Sequence, residues 1–174
     1  MDRSSSAAGA EGSTSAAPKR TDYAGAVYGS VLAASVVATA GAVGGFPRLK
    51  LVLMLIITGL VFWAAHVYAR WAGERRLAGS PWSWPEVRRL AAHEWSIVEA
   101  AFLPAASVAV SPLLGLGLSG TGWLALAVAV AQQVGWACLG AVRASVPALQ
   151  VVAEGVVNLV LGLVIVVAKV AVSH

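Results

Sequence analysis

From Tyr23 onward the chain is almost unbroken apolar residue on both sides of one polar island, residues 62–99. Apolar runs of about 20 residues match a hydrocarbon layer roughly 30 Å thick at 1.5 Å of rise per helical residue. Inside such a layer every backbone N–H and C=O must be satisfied within its own segment, so runs of this kind are helices. Composition agrees: 59% of the 174 residues are hydrophobic and 11% are charged, against about 25% charged in an ordinary soluble domain. One soluble core of this size could not take in so much apolar surface. The expected fold class is therefore all-α, a polytopic transmembrane helix bundle.

Five spans are read, at about 23–45, 51–69, 100–118, 123–142 and 150–170. Residues 1–20 are Ser, Ala and Gly with a few charges, too little apolar surface to offset the entropy of ordering, and are expected to be a disordered tail. The first span is built from small residues. Its Gly25 and Gly29 form a GxxxG that lets two backbones approach closely, either as a homo-oligomer seam or as packing within one chain. A tight turn is expected over residues 46–50. The second span ends in Trp63, Tyr68 and Trp71 beside Arg70, an aromatic belt at the interface. Pro104 and Pro112 interrupt the third, with Ser107 and Ser111 placed to satisfy the carbonyls they free. Residues 119–122 read as a hairpin connection. If the third or fifth run is re-entrant or interfacial, four spans remain.

The island carries five of the twelve Lys and Arg residues, five of the seven Trp and two of the three His. Residues 73–97 read as an interfacial loop and amphipathic helix anchored by Trp82, Trp84 and Trp95. Ser83 and Glu86 have capping-box spacing, and Pro85 suits the first turn. The arginines fit anionic lipid headgroups and membrane orientation; no basic run is interleaved with aromatics, so no nucleic acid is expected. With the N-terminus in the cytoplasm, only Arg48, Lys50 and Lys169 of the twelve basic residues fall outside. That bias follows the positive-inside rule and implies a multi-pass protein of the plasma (inner) membrane.

Ionisable residues within spans are costly and mark functional candidates. Counting depth from the ends of the spans puts His66, Glu99, Glu154 and Tyr28 in one layer under the island. Gln132, Gln133 and Asn158 come nearer the midplane. Glu154 and Asn158, four residues apart, share a helix face. Two readings follow. In one, these groups line a polar cavity open to the cytoplasm that relays protons or holds a cation, in a small channel-like or transport-accessory protein. In the other they satisfy one another, Glu99 and Glu154 with Arg70 or Arg143 and Asn158 with a glutamine, in a non-catalytic scaffold or interaction protein.

An intramembrane enzyme ranks third, because no GxSxG, P-loop or GxGxxG is present and no catalytic residue stands out. No cofactor is expected. His66, His93, Glu94 and Glu99 offer N and O ligands for a metal, but no HxxxH, HExxH or CxxC occurs, and adjacent His93 and Glu94 would project about 100° apart on a helix. The lone Cys138 excludes an intrachain disulfide.

Two segments, DYAGAVYGSVLAAS at 22–35 and VFWAAHVYARW at 61–71, together with the Ala/Gly/Val/Arg bias, resemble uncharacterised small multi-span integral membrane proteins of high-GC bacteria. The resemblance implies a bacterial inner membrane and carries no substrate.

Overall fold

The structure, a computed structural model, describes residues 22–42, 47–78 and 83–172. The expected N-terminal tail, Phe46 and Trp82 lie outside these. Among the described residues six α-helices follow in order: α1 Tyr23–Ala42, α2 Arg48–Ala78, α3 Trp84–His93, α4 Ser96–Val110, α5 Leu118–Arg143 and α6 Ala148–Val172. There is no strand among the described residues. Five segments are long and apolar enough to cross a membrane, with α3 and α4 together making the third. The expected all-α, five-span bundle is what the chain forms.

α1 lies at the centre, packed on α2, α4, α5 and α6. Its composition is the cause. Ala26, Ala33, Ala34, Val37, Ala38 and Ala40 are all buried, and small side chains let four neighbours come close at once. A Cβ on Gly29 would stand 2.7 Å from the Ile97 carbonyl oxygen and 2.8 Å from the Ala100 Cβ. The GxxxG face is thus filled by α4 of the same chain, not left free as a homo-oligomer seam. Ser30, Ser35 and Thr39 donate to carbonyls one turn back at 2.8, 2.9 and 2.9 Å, so their hydroxyls are carried at little cost. Leu51, Leu55, Val108, Leu126 and Val130 complete the core around α1. α2 and α6 are peripheral. Their exposed aliphatic residues, such as Leu53, Ile57, Val152, Val156, Val160 and Val164, form the surface a lipid solvent requires.

Several boundaries differ from the sequence expectation. α2 starts at Arg48, inside the expected turn, and its 31 residues span about 46 Å, longer than a hydrocarbon core of roughly 30 Å. α4 passes through Pro104 without a break. The reason is across the bundle: Pro104 frees the Ala100 carbonyl, and Gln132 Nε2 on α5 donates to it at 3.2 Å. Ser111 Oγ takes the Val108 carbonyl freed by Pro112, at 2.7 Å, as expected, whereas Ser107 bonds the Pro104 carbonyl at 2.6 Å. Residues 119–122 lie within α5, and the connection falls earlier. A 3₁₀ turn over Ser111–Leu114 ends at Gly115 with φ 68°, a left-handed conformation that glycine adopts without a Cβ clash. Ser83 is the N-cap residue of α3, yet its hydroxyl makes no capping bond, so the expected capping box is not formed.

Candidate functional site

Polar side chains gather at the two ends of the bundle. The near end is where α1, α4 and α6 begin; the far end is where α2 and α5 begin.

At the near end α3 stops at His93, and the chain turns through Glu94 and Trp95 before α4 starts. Trp63 on α2 holds this corner, donating Nε1–H to the Ala91 carbonyl at 2.8 Å and meeting Trp95 edge-on at 5.4 Å. The turn folds Glu94 inward, to 2% exposure. Arg70, on the C-terminal part of α2, donates Nη1–H to Glu94 Oε1 at 2.6 Å, and this is the ion pair found among the described residues. His93 and Glu94 are separated by a helix end, so the 100° divergence of a continuous helix does not apply. One ligand atom each from Asp22, His93 and Glu94 lie within 4.8 Å of one another. Ser96 is buried beside them, and its Oγ has no hydrogen-bond partner.

At the far end Arg48 donates Nε–H to Ser111 Oγ at 3.2 Å and to Thr121 Oγ1 at 3.3 Å, and Nη2–H to the Leu116 carbonyl. Thr121 Oγ1 also bonds Ser111 Oγ at 2.8 Å. One guanidinium thereby ties α2, the 3₁₀ turn and α5 together, using the fork geometry that lysine lacks. Nearby, Lys169 of α6 turns inward and is 7% exposed. Its Nζ lies 4.4 Å from the Trp123 ring centroid. Room for it comes from Gly41 and Gly122, where a Cβ would stand 3.1 and 3.4 Å from Nζ. No carboxylate pairs with it among the described residues. Lys169 heads an apolar groove of about 440 Å³ between α1 and α6, walled by Ser35, Ala38, Thr39, Val164, Ile165 and Ala168.

The residues singled out from the sequence are placed as follows. His66 on α2 is half-buried with its ring 5.0 Å from that of Tyr28 on α1. Glu99 is exposed at the rim of a shallow groove between α4 and α5, which Gln132 also lines. Glu154 is exposed on α6, where its backbone carbonyl accepts from Asn158 Nδ2 at 2.9 Å. α6 packs on α1 and α5, whereas α2 packs on α1, α3 and α4. His66, Glu99 and Glu154 are therefore spread over different sides of the bundle and do not line one cavity. The deeper amides are joined: buried Gln133 donates Nε2–H to the Asn158 carbonyl at 3.1 Å and to its Oδ1 at 3.3 Å. Arg70 pairs with Glu94 and not with Glu99 or Glu154. Asp22, Arg48 and Lys169 have no site role in the sequence reading, and Glu94 enters it only as a metal-ligand candidate that is set aside. Asp22 and Glu94 had a signal in their position, since both sit at the same end of their spans as His93.

The fold defines an all-helical membrane-spanning protein with a packed centre and a polar cluster at each end. Compared with protein-family models, curated proteins and solved structures, the chain matches none of them.

Proposed function

We propose that the protein is a non-catalytic membrane-embedded binding protein, and that the far-end groove takes an anionic phospholipid. Its phosphate sits on Lys169, and an acyl chain lies between α1 and α6. The observation that carries this is the inward-turned ammonium of Lys169 at the head of the 440 Å³ apolar groove. A cation held inside an apolar bundle is costly. The face of Trp123 offsets part of that cost, about 0.5–2 kcal/mol for a contact of this kind, and an anionic headgroup supplies the rest. The groove volume falls within the range of roughly 300–1,000 Å³ usual for small-molecule sites, and lipid is the solvent around it.

What supports this over a channel-like or transport-accessory role is the packed α1 and the dispersal of His66, Glu99 and Glu154. The near end faces the cytoplasm in this reading, because nine of the twelve basic residues belong to it. The membrane is a bacterial inner membrane, as the resemblance implies, and the bound lipid comes from the outer leaflet.

The test is native mass spectrometry of protein exchanged into detergent with phosphatidylglycerol or phosphatidylcholine. Wild type retains phosphatidylglycerol, and Lys169→Gln loses roughly tenfold in its retention, the equivalent of 1.4 kcal/mol. Phosphatidylcholine is held weakly by both. Equal retention of phosphatidylglycerol by wild type and Lys169→Gln would refute the proposal.

A further inference from the structure

We propose that Asp22, His93 and Glu94 bind a divalent transition-metal cation of the zinc type at the near end, independently of the far-end groove. Three observations converge there.

The first is geometric. Three ligand atoms lie within 4.8 Å of one another, so a point between them is at most about 2.8 Å from each, and side-chain shifts of less than about 1 Å bring them to the 2.0–2.2 Å of zinc–nitrogen and zinc–oxygen bonds. The side chains come from three places in the chain: the residue ahead of α1, the end of α3, and the turn before α4.

The second is charge. Two carboxylates meet here, and among the described residues the cation paired with them is Arg70, which is itself 47% exposed. Glu94, at 2% exposure, is too deeply placed for water to do the screening. Arg70 occupies Oε1 of Glu94, which leaves the other carboxylate oxygen for an ion. Among the described residues, Arg70 alone leaves the two carboxylates in excess, and a divalent cation neutralises that excess.

The third is an unmet hydrogen bond. Ser96 is 6% exposed, and its Oγ has no partner. A Cβ on Gly25 would stand 2.4 Å from Asp22 Oδ2 and 2.6 Å from Ser96 Oγ. Both oxygens thus reach the same small space above Gly25, which the absence of a side chain keeps open. A water on the metal's open position would find its hydrogen-bond partner in that hydroxyl, and buried hydroxyls without partners are uncommon.

The ligand set selects the class of ion. One imidazole with two carboxylates suits zinc and its neighbours. Three protein ligands are too few for Ca²⁺, which takes 6–8 oxygens, and Mg²⁺ gives up its waters reluctantly. Bound there, the ion pins the start of α1 to the corner between α3 and α4, beside the Arg70–Glu94 pair. Ion and guanidinium share one carboxylate, so metal binding loosens Arg70 and with it the C-terminal part of α2.

The experiment uses the full chain in detergent without a polyhistidine tag. Zn²⁺ is titrated against a chromophoric chelator, with thermal unfolding measured with and without the metal. Wild type binds one Zn²⁺ per chain and unfolds at a higher temperature in its presence. Asp22→Asn and His93→Gln each lose on the order of 10–100-fold in affinity and most of the thermal shift, while His66→Gln keeps both. Because Asp22 is half-buried and His93 exposed, these variants keep the fold, and their metal-free unfolding temperature checks that. The proposal is overturned if wild type shows no saturable Zn²⁺ binding, if Asp22→Asn and His93→Gln bind as wild type does, or if Mg²⁺ or Ca²⁺ binds in preference.

Discussion

Glu94 Oε1, sealed from solvent, receives Nη1–H of half-exposed Arg70 at 2.6 Å. The bond joins two pieces of chain that nothing in the local sequence pairs: the C-terminal part of α2 and the corner between α3 and α4. Its energetics are lopsided. Arg70 alone would return to water at little cost, but Glu94 alone would be a charge without a partner.

That asymmetry makes a prediction. Arg70→Ala leaves the Glu94 carboxylate buried and unpaired, and should lower the unfolding free energy by about 1.5–3 kcal/mol, the range for hydrogen bonds to charged groups. Solvent exposure of Arg70 argues for the lower half. Replacing both residues with leucine should recover most of the loss, because an apolar pair leaves no buried charge behind. Equilibrium unfolding in mixed micelles measures both. A double variant no more stable than Arg70→Ala would show that the pair is not what holds the corner.

A second prediction concerns the two kinds of helical glycine. Gly29 faces the Ile97 carbonyl and the Ala100 Cβ at distances no real Cβ tolerates, while nothing lies within 4 Å of a Cβ built on Gly73. Gly29→Ala should therefore wedge α1 away from α4 and cost about 1–3 kcal/mol, as overpacking does. Gly73→Ala should gain up to about 1 kcal/mol from helix propensity alone. Thermal unfolding of the two variants side by side separates these outcomes. Equal behaviour would mean that α1 and α4 are not in close contact.

The number of spans was legible because hydrophobic length is a one-dimensional property, and a lipid solvent converts it directly into helices. Depth was legible for the same reason: residue counting put Gln133 and Asn158 at one level, and they bond each other. Azimuth was not. His66, Glu99 and Glu154 sit on helices with different neighbours, and which way a residue points in a bundle depends on which helices pack beside it. The sequence of an apolar helix carries little signal for that. Helix ends differ from the sequence expectation where glycine suggests a turn. Residues 119–122 look like a hairpin, yet Thr121 bonds back to the Gly117 carbonyl through both N–H and Oγ1 at 2.9 Å, and the turn is made by Gly115. The sequence argument against His93 and Glu94 as joint metal ligands assumes a continuous helix, whereas α3 ends at His93. Lys169 read as an end-of-span charge; its inward turn depends on Gly41 and Gly122, which come from two other helices.

The third prediction tests the role of Gln132, taken from the sequence as a cavity residue. In the structure its Nε2 donates to the Ala100 carbonyl, the acceptor that Pro104 leaves without a backbone donor one turn later. If that is its role, its value depends on the proline. Gln132→Leu in the wild-type background strips the carbonyl of its partner and should cost about 0.5–2 kcal/mol, since interhelical hydrogen bonds in membranes average about 0.6 and reach about 1.7 kcal/mol. In a Pro104→Ala background the backbone N–H of residue 104 takes the carbonyl, and the same change should cost close to nothing. The difference between the two backgrounds is the coupling energy of a double-mutant cycle, expected to be about 0.5 kcal/mol or more. Unfolding of the four proteins under one set of conditions gives it. A coupling indistinguishable from zero would detach Gln132 from the proline and return it to the candidates for a polar groove beside Glu99.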